Sequence, residues 1–232
     1  YVKHIVRSKD AKVYSPAPTE VDIYRDTRAA AESGWDFSSR WLLADSNGIF
    51  RMGTIRTTAI VPVDLNCLIY NLESTIAKAA GLVGDRSAES EFSGRAERRR
   101  QAITTVFWSG QHQFFMDLDM ATGTHTGVFS LAAVYPLFFN VATQEQADQV
   151  AEKIRSSFLQ QGGLLATLNV TGQQWDAPNG WAPLHYLAIE GLKNYGYHDL
   201  AGDAAHRWMR LIEKTYAFNF RLLEKYNVAD TS

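Results

Sequence analysis

The stretch AESGWDFSSRW, Ala31–Trp41, places a single carboxylate, Asp36, between two aromatic side chains, Trp35 and Phe37. Gly34 interrupts the helical pattern that precedes it, and Asp is unfavourable in a strand. The segment therefore predicts a helix end that turns into a loop with Asp36 at the turn. Aromatic walls favour the protonated form of a carboxyl group, and they also suit the flat face of a sugar. From this stretch alone, Asp36 as the cap of the next helix is an equally good interpretation.

Two further motifs lie far downstream: QQWDAPNGWAP at Gln173–Pro183 and EKYN at Glu224–Asn227. Taken in this order with Ala31–Trp41, they resemble the signatures of trehalase, a family of glycoside hydrolases. The resemblance extends over essentially the whole chain, and Tyr14–Arg28 is similar to the bacterial branch and its cytoplasmic form. The positions that match the second signature are Gln174, Trp175, Asp176, Pro178, Gly180, Trp181, Ala182 and Pro183.

The chain of 232 residues is 46% hydrophobic, which is enough to bury a sizeable core. Helical patterns follow one another with few strand signals, so the residues alone predict an all-α fold. The resemblance implies an (α/α)6 toroid of helical hairpins, with apolar helices in an inner ring and amphipathic helices outside. Nothing here matches the family's first signature, nor its late glycine-rich stretch. We therefore interpret residues 1–232 as a single catalytic domain that is incomplete in this chain.

The helices are predicted from periodicity and capping residues. Thr19 is expected to cap the first helix, in which Ile23, Thr27 and Ala30 lie on one face. Leu65, Leu68, Ile69, Leu72 and Ile76 are spaced as one inward face of the second helix. Pro136 is expected to kink the fourth helix, and the last helix is expected to carry Glu224 near its end. The predicted helices are Glu20–Glu32, Asp64–Leu82, Ser87–Phe107, Val128–Ala142, a helix from the Thr143 cap to Leu159, Gly180–Tyr195, and a last helix that begins at Asp199 or His198 and ends at Tyr226.

Two carboxylates can hydrolyse a glycosidic bond, one as a general acid and one as a general base. The resemblance implies that Asp36 is the acid and Glu224 the base, and that α,α-trehalose is cleaved to two glucose molecules with inversion. Both side chains are expected to open into one cavity, and an inverting pair must lie roughly 6.5–9.5 Å apart, which leaves room for the attacking water. Without the resemblance, Glu224 is better interpreted as a surface residue at a helix end. Lys225 receives no role because neighbours on a helix point apart.

Three further residues are candidates for substrate binding. Gly34 lets the backbone approach a sugar hydroxyl closely. Trp175 is either a platform for the sugar or a core residue, and Asp176 either binds sugar hydroxyls or caps the next turn. Trp181 is expected in the core because it begins a helix. Ion pairs that hold the loops are expected from Arg40, Arg56 and Asp64.

The remaining composition narrows the class of protein. His125, His185 and His206 lack the spacing of metal ligands, so neither a metal nor another cofactor is expected. The longest apolar runs fall short of about 18 residues, and the net charge is −2, which predicts no membrane span and no nucleic-acid partner. The expected partner is trehalose alone, bound by a monomer. The single cysteine, Cys67, favours the cytoplasm and leaves the periplasm open.

Two alternatives to a trehalase remain. One is another inverting glucosidase on the same toroid, which would share the two carboxylates and bind a different second sugar. The other is a non-catalytic carbohydrate-binding protein that uses the aromatic side chains without turnover.

Overall fold

Helices make up most of the computed structural model, which describes residues 19–230. Positions 14–18, part of the segment similar to the bacterial branch, lie outside the described residues. The helices are α1 (Glu20–Glu32), α2 (Val63–Val83), α3 (Arg86–Val106), α4 (Tyr135–Phe138), α5 (Gln144–Lys153), α6 (Ala182–Asn194) and α7 (His198–Asn219). Short 3-10 turns cover Ser39–Trp41, Met52–Thr54, Thr57–Ala59 and Leu131–Val134, and a π turn covers Ile154–Phe158.

Very short antiparallel strands tie the loops together. Their bounds are β1 (Ile60–Val61), β2 (Trp108–Ser109), β3 (Phe114–Phe115), β4 (Leu118–Asp119), β5 (Thr124–His125), β6 (Leu159–Gln160), β7 (Gly163–Leu164), β8 (Asn179–Trp181) and β9 (Lys225–Asn227). The first sheet has the order β1–β4–β5, and the other pairs are β2–β3, β6–β7 and β8–β9. Strands of two or three residues are too short to show alternation in sequence, so the sequence did not predict them.

Helix α1 follows its prediction. Thr19 forms a capping box with Asp22, and the buried face of the helix contains Ile23, Thr27 and Ala30, as the periodicity predicts. The face also buries Asp26, whose carboxylate accepts a 2.6 Å hydrogen bond from the Thr58 backbone N–H. That bond docks α1 on the turn at Thr57–Ala59.

Helices α2 and α3 pack as a long antiparallel hairpin, but α2 faces the other way from its prediction. Leu65, Leu68 and Leu72 are 48%, 47% and 57% exposed. The buried side of α2 carries Asp64, which pairs with the buried Arg40, and Glu73, which pairs with the half-buried Arg99. Because a buried charge needs a partner of opposite sign, these two contacts set the rotation of the helix.

The apolar stretch at 128–142 does not form one helix. A 3-10 turn leads into the short helix α4, and Pro136 lies in its first turn, where the missing N–H costs nothing. The next apolar helix also begins later than predicted, because 179–181 is strand β8 and α6 begins at Ala182. Helix α6 nevertheless packs between α4 and α7.

The last helix ends before its predicted end. Helix α7 stops at Asn219, and Phe220 adopts a left-handed φ of +55° that caps it. Glu224 therefore lies in the loop that leads into β9 rather than on a helix. Residues 220–224 contribute little to the core, since Phe220 is 81% exposed and Leu222 is 70% exposed.

No helix within residues 19–230 combines the length and the apolar character needed to cross a lipid bilayer. In the same range, no group of three or more His, Cys, Asp and Glu side chains is arranged to hold a metal ion.

Gly180 permits the close contact of β8 with its neighbours. A Cβ on Gly180 would lie 2.6 Å from the Leu164 carbonyl oxygen and 2.6 Å from a Val228 methyl carbon. We expect Gly180→Ala to lower the free energy of unfolding by about 1–3 kcal/mol, because the backbone of β7 must move. The control is Gly202→Ala in α7, where nothing lies within 4 Å of the new Cβ and helix propensity improves. Urea denaturation of both variants tests this; equal stability of the two would contradict it.

Candidate active site

The second signature segment carries a carboxylate, Asp176, that is fully buried. It accepts hydrogen bonds from the hydroxyls of Ser38 and Ser39, both at 2.9 Å, and from the Ser39 backbone N–H at 2.8 Å. The hydroxyls of Thr167, at 2.8 Å, and Thr171 complete the set. A buried charge is stable only when donors of this kind compensate it. Asp176 therefore joins the two signature segments.

The residues before Asp176 continue this contact along the loop that carries Asp36. The Gln174 side-chain Nε2 donates to the Asp36 carbonyl oxygen, and the Trp175 backbone N–H donates to the Phe37 carbonyl oxygen at 3.0 Å. The Asp36–Phe37 peptide bond is cis. Residues 174–176 are thus paired in order with residues 36–39. This pairing sets the position of the loop that carries Asp36, called the acid loop below.

Arg40 anchors the same loop through buried ion pairs. Its guanidinium is fully buried and forms paired hydrogen bonds of 2.8–3.0 Å with Asp64 and with Asp117. It also lies 4.3 Å from the ring centroid of Trp35. Burial alone would lower the pKa of Arg40, but the two carboxylates raise it above its usual value. Arg40 and Asp64 were both expected to form ion pairs, and they pair with each other, whereas the sequence offered no signal for Asp117.

The other predicted arginine contact is also present. Arg56 pairs with Asp119 at 2.7 Å, on β4. This pair lies on the sheet beside the Arg40 cluster and holds the segment before β1. Burial would raise the pKa of Asp119, and the bond to Arg56 brings it below its usual value.

A cavity of about 430 Å³ lies between the signature segments. Three indoles form one wall: the Trp175 and Trp181 rings stack with centroids 3.8 Å apart, and Trp35 lies 5.1 Å from Trp175. Flat aromatic surfaces of this kind suit a ligand with an apolar face and polar edges. The cavity is lined by Ser33, Gly34, Trp35, Tyr135, Trp175, Trp181, Pro183, Leu184 and Glu224.

The cavity brings together three of the predicted site residues, Gly34, Trp175 and Glu224. Asp36 is half-buried beside the cavity and does not line it, so the expectation that both carboxyl groups open into one cavity holds here for Glu224 only. Asp176 has no exposed atom with which to contact a sugar, because its oxygens are occupied inside the protein. Trp181 is 4% exposed, as expected of a core residue.

Strand β9 gives Lys225 a role that the sequence did not predict. The prediction placed Lys225 on a helix, but it pairs with Trp181 across β8 and β9. Its ammonium nitrogen lies 3.3 Å from the Gln174 Oε1 and 5.8 Å from the Trp181 ring centroid. Glu224 is exposed at the cavity rim immediately before this strand.

Tyr135 is a cavity residue that the sequence did not identify, because it lies in a stretch that resembles plain core. Burial, reinforced by the charge of Asp64, raises its pKa, so the hydroxyl remains protonated. It therefore offers a hydrogen-bond donor on the wall of the cavity.

His185 lies below the cavity and is a structural residue. Its Nδ1 lies 2.8 Å from the Trp181 carbonyl oxygen, and its Nε2 accepts a 2.7 Å hydrogen bond from the Leu164 N–H. The ring stacks on Trp208 at 3.9 Å. Burial lowers its pKa to about 4, and the bond to the Trp181 carbonyl opposes this only in part. The imidazole is therefore neutral at pH 7.

A larger cavity of about 660 Å³ lies between the end of α7 and β9. Its lining is mainly apolar and includes Leu211, Phe218 and Tyr226. Of the three motifs, only the last, residues 224–227, contributes to it. It therefore lacks the indole arrangement of the first cavity.

Comparison with known proteins places the chain among trehalases. The family pattern described as Trehalase matches residues 4–232. A putative periplasmic trehalase of Salmonella typhi and a periplasmic trehalase of Salmonella agona are each 43% identical over 217 residues, which is 94% of this chain. The chain spans 37% of the length of these two relatives. Because both are named periplasmic, the cytoplasmic location expected from the sequence finds no support among them.

Solved structures agree on the fold. The neutral trehalase of Saccharomyces cerevisiae superposes with a TM-score of 0.78 at 28% identity, covering 96% of this chain and 41% of that one. A mannosylglycerate hydrolase of Thermus thermophilus superposes with a TM-score of 0.63 at 20% identity, covering 75% of this chain and 41% of that one, and supports the fold alone. The predicted helical architecture of (α/α)6 toroid type is confirmed.

Replacing Asp176 should lower the stability of the protein. We expect Asp176→Asn to lower the free energy of unfolding by about 2–3 kcal/mol. Its amide NH₂ group would take the place of an oxygen that accepts hydrogen bonds, and it would leave some of the five surrounding donors without an acceptor. Asp199→Asn, at an exposed position in the first turn of α7, is the control and should change it by less than about 0.5 kcal/mol. Chemical denaturation measures both. An Asp176→Asn protein as stable as the control would contradict the positioning role.

His185 should make stability depend on pH. Its pKa is 6.5 in the unfolded chain and about 4 in the fold, so only the unfolded chain binds the proton between these values. Its contribution is present above pH 6.5 and falls as the pH drops toward 4, by about 3 kcal/mol in all. Urea denaturation from pH 7 to pH 4 should show a shallower slope in His185→Phe than in the wild type. His206→Gln, at an exposed position, is the control and should keep the wild-type slope.

Proposed function

The chain belongs to the trehalase family, and from that premise we propose that it forms part of an enzyme that hydrolyses α,α-trehalose to two molecules of glucose with inversion. The observation that carries this proposal is the position of the segment 173–183. It binds the loop of Asp36 through its main chain and side chains, and it pairs with the strand that follows Glu224. The segment thus contacts both the loop that carries Asp36 and the strand that follows Glu224, two parts of the chain that are distant in sequence.

In the proposed reaction, Asp36 gives its proton to the oxygen between the two sugars as the C1–O bond breaks. Glu224 takes a proton from a water molecule whose oxygen forms the new bond to C1 from the opposite face. The sugar that is attacked leaves as β-glucose, and the other leaves as α-glucose. Gly34 and Trp175 are proposed substrate contacts because both line the cavity. Asp176 is proposed as a positioning residue rather than a binding residue.

The extent of the catalytic domain is part of the proposal. Residues 1–232 are proposed to be a segment of one catalytic domain, because the chain spans 37% of the length of its Salmonella relatives. The experiments on activity therefore use the full-length protein. Following those relatives, we propose a periplasmic location; a monomer without a nucleic-acid partner remains our expectation.

Substitution of the two carboxylates tests the assignment in the full-length protein. We expect Asp36→Asn and Glu224→Gln each to lower kcat on trehalose by about 10²–10⁴-fold with an unchanged melting temperature, because each amide keeps the shape and loses the proton transfer. Glu213→Gln, on the exposed side of α7, is the matched control with wild-type turnover.

The substrates of the same assay separate the alternatives. Glucose released from trehalose and not from maltose supports a trehalase. Release from maltose alone indicates another glucosidase on the same fold, and release from neither indicates a binding protein. Wild-type turnover in Asp36→Asn would remove that residue from the mechanism.

A further inference from the structure

The two proposed catalytic residues lie on segments that are anchored unequally. The loop of Asp36 is held on several sides, by Asp176 through Ser38 and Ser39 and by the Arg40 cluster. Glu224 is exposed in a loop after α7 and precedes a strand of only three residues. An inverting reaction needs a defined distance between the two carboxyl groups. Some contact must therefore connect the segment that carries Glu224 to the loop that carries Asp36.

The Gln174 side chain makes a connection of this kind. Its Nε2 donates to the carbonyl oxygen of Asp36 itself. Its Oε1 accepts from the Lys225 ammonium group, 3.3 Å away, in the residue next to Glu224. One primary amide thus contacts the backbone of the acid residue and the neighbour of the base.

The chemistry of the two partners requires an amide at this place. A carbonyl oxygen only accepts hydrogen bonds, and an ammonium group only donates them. The side chain between them must therefore donate at one end and accept at the other, which Gln does and neither an ionised Glu nor Met can. The same requirement sets the orientation of the amide, with its nitrogen toward Asp36 and its oxygen toward Lys225.

The surroundings hold both ends of this connection. The Gln174 carbonyl oxygen accepts a 2.9 Å hydrogen bond from the Trp181 Nε1, and Trp181 pairs with Lys225 across β8 and β9. The Lys225 ammonium group lies over the Trp181 ring, and both Lys225 and Gln174 are half-buried. A half-buried amide with both ends bonded is a more rigid spacer than a surface contact would be.

From these contacts we infer that Gln174 and Lys225 form a bridge that sets the separation of Asp36 and Glu224. Both are positioning residues, because neither carries a proton in the reaction. The inference rests on the proposed function, since it concerns the geometry of that acid–base pair. A displacement of about 1 Å between reacting groups can lower the rate by about 10²-fold without weakening ground-state binding.

Kinetics of the full-length protein on trehalose test the bridge. Gln174→Met keeps the length of the side chain and removes both hydrogen bonds, and we expect a kcat about 10–100-fold below wild type with KM within about threefold. Lys225→Met should lower kcat less, because the bond to Asp36 survives. The double variant should be no slower than Gln174→Met, since residues that act through one contact are not additive.

The adjacent Gln173 provides the matched control. Within residues 19–230 its side chain forms no hydrogen bond, and it is half-buried like Gln174. Gln173→Met makes the same chemical change one position away, and its kcat should equal that of the wild type. Melting temperatures of all variants are recorded in parallel.

A second variant tests the bridge if Gln174→Met does not fold. Gln174→Glu keeps an acceptor for Lys225 but turns a carboxylate oxygen toward the Asp36 carbonyl. Protonation of the new carboxyl group restores a donor, so the rate maximum of this variant should move to lower pH. A purely structural defect would lower the rate without moving the maximum.

The outcomes separate failure of the bridge from failure of the proposed function. Wild type inactive on trehalose overturns the proposed function, and the bridge falls with it. If the wild type is active, a wild-type kcat in Gln174→Met would overturn the bridge. So would a double variant whose loss of kcat equals the product of the losses in Gln174→Met and Lys225→Met. In Gln174→Glu, a rate maximum at the wild-type pH would overturn it as well.

Discussion

The buried carboxylate of Asp176 is the interaction on which the rest of the site depends. A charge without solvent has to be compensated inside the protein, and here four hydroxyls and one backbone N–H do so. Two of those hydroxyls belong to Ser38 and Ser39, which lie two and three positions after Asp36. Any fold that satisfies Asp176 must therefore bring the first signature segment against the second. The position of the proposed acid is thus a consequence of an electrostatic requirement in the core.

Arg40 adds a second requirement of the same kind on the opposite side of the loop. Its guanidinium needs two carboxylates because it is fully buried, and these come from Asp64 at the start of α2 and from Asp117 near β4. The α2–α3 hairpin is thereby tied to the site, and the leucine face of α2 is turned outward. Leaving a buried charge unpaired is more unfavourable in free energy than leaving two or three leucines partly exposed.

Below the cavity, the packing is close and neutral rather than charged. His185 fits between the Trp181 carbonyl and the Leu164 N–H, and glycines at 163 and 180 leave room for its ring and for β7. The acid loop and the aromatic wall therefore belong to a rigid unit. Glu224 lies outside that unit, on an exposed loop, and its link to the unit passes through β9 and the side chain of Lys225.

The sequence by itself determined the features that depend on a few neighbouring residues or on a family pattern. The bounds and cap of α1, the burial of Trp181, the helical class and the membership of the trehalase family all follow from it. Tertiary structure alone decided that Asp176 is buried, that α7 ends before Glu224, and that Gln174 contacts Lys225. The physical reason is that buried polar groups bind partners that are distant in the sequence. Local propensity carries no record of those partners, so the side of α2 that faces inward and the roles of Gln174 and Lys225 appear only in the folded protein.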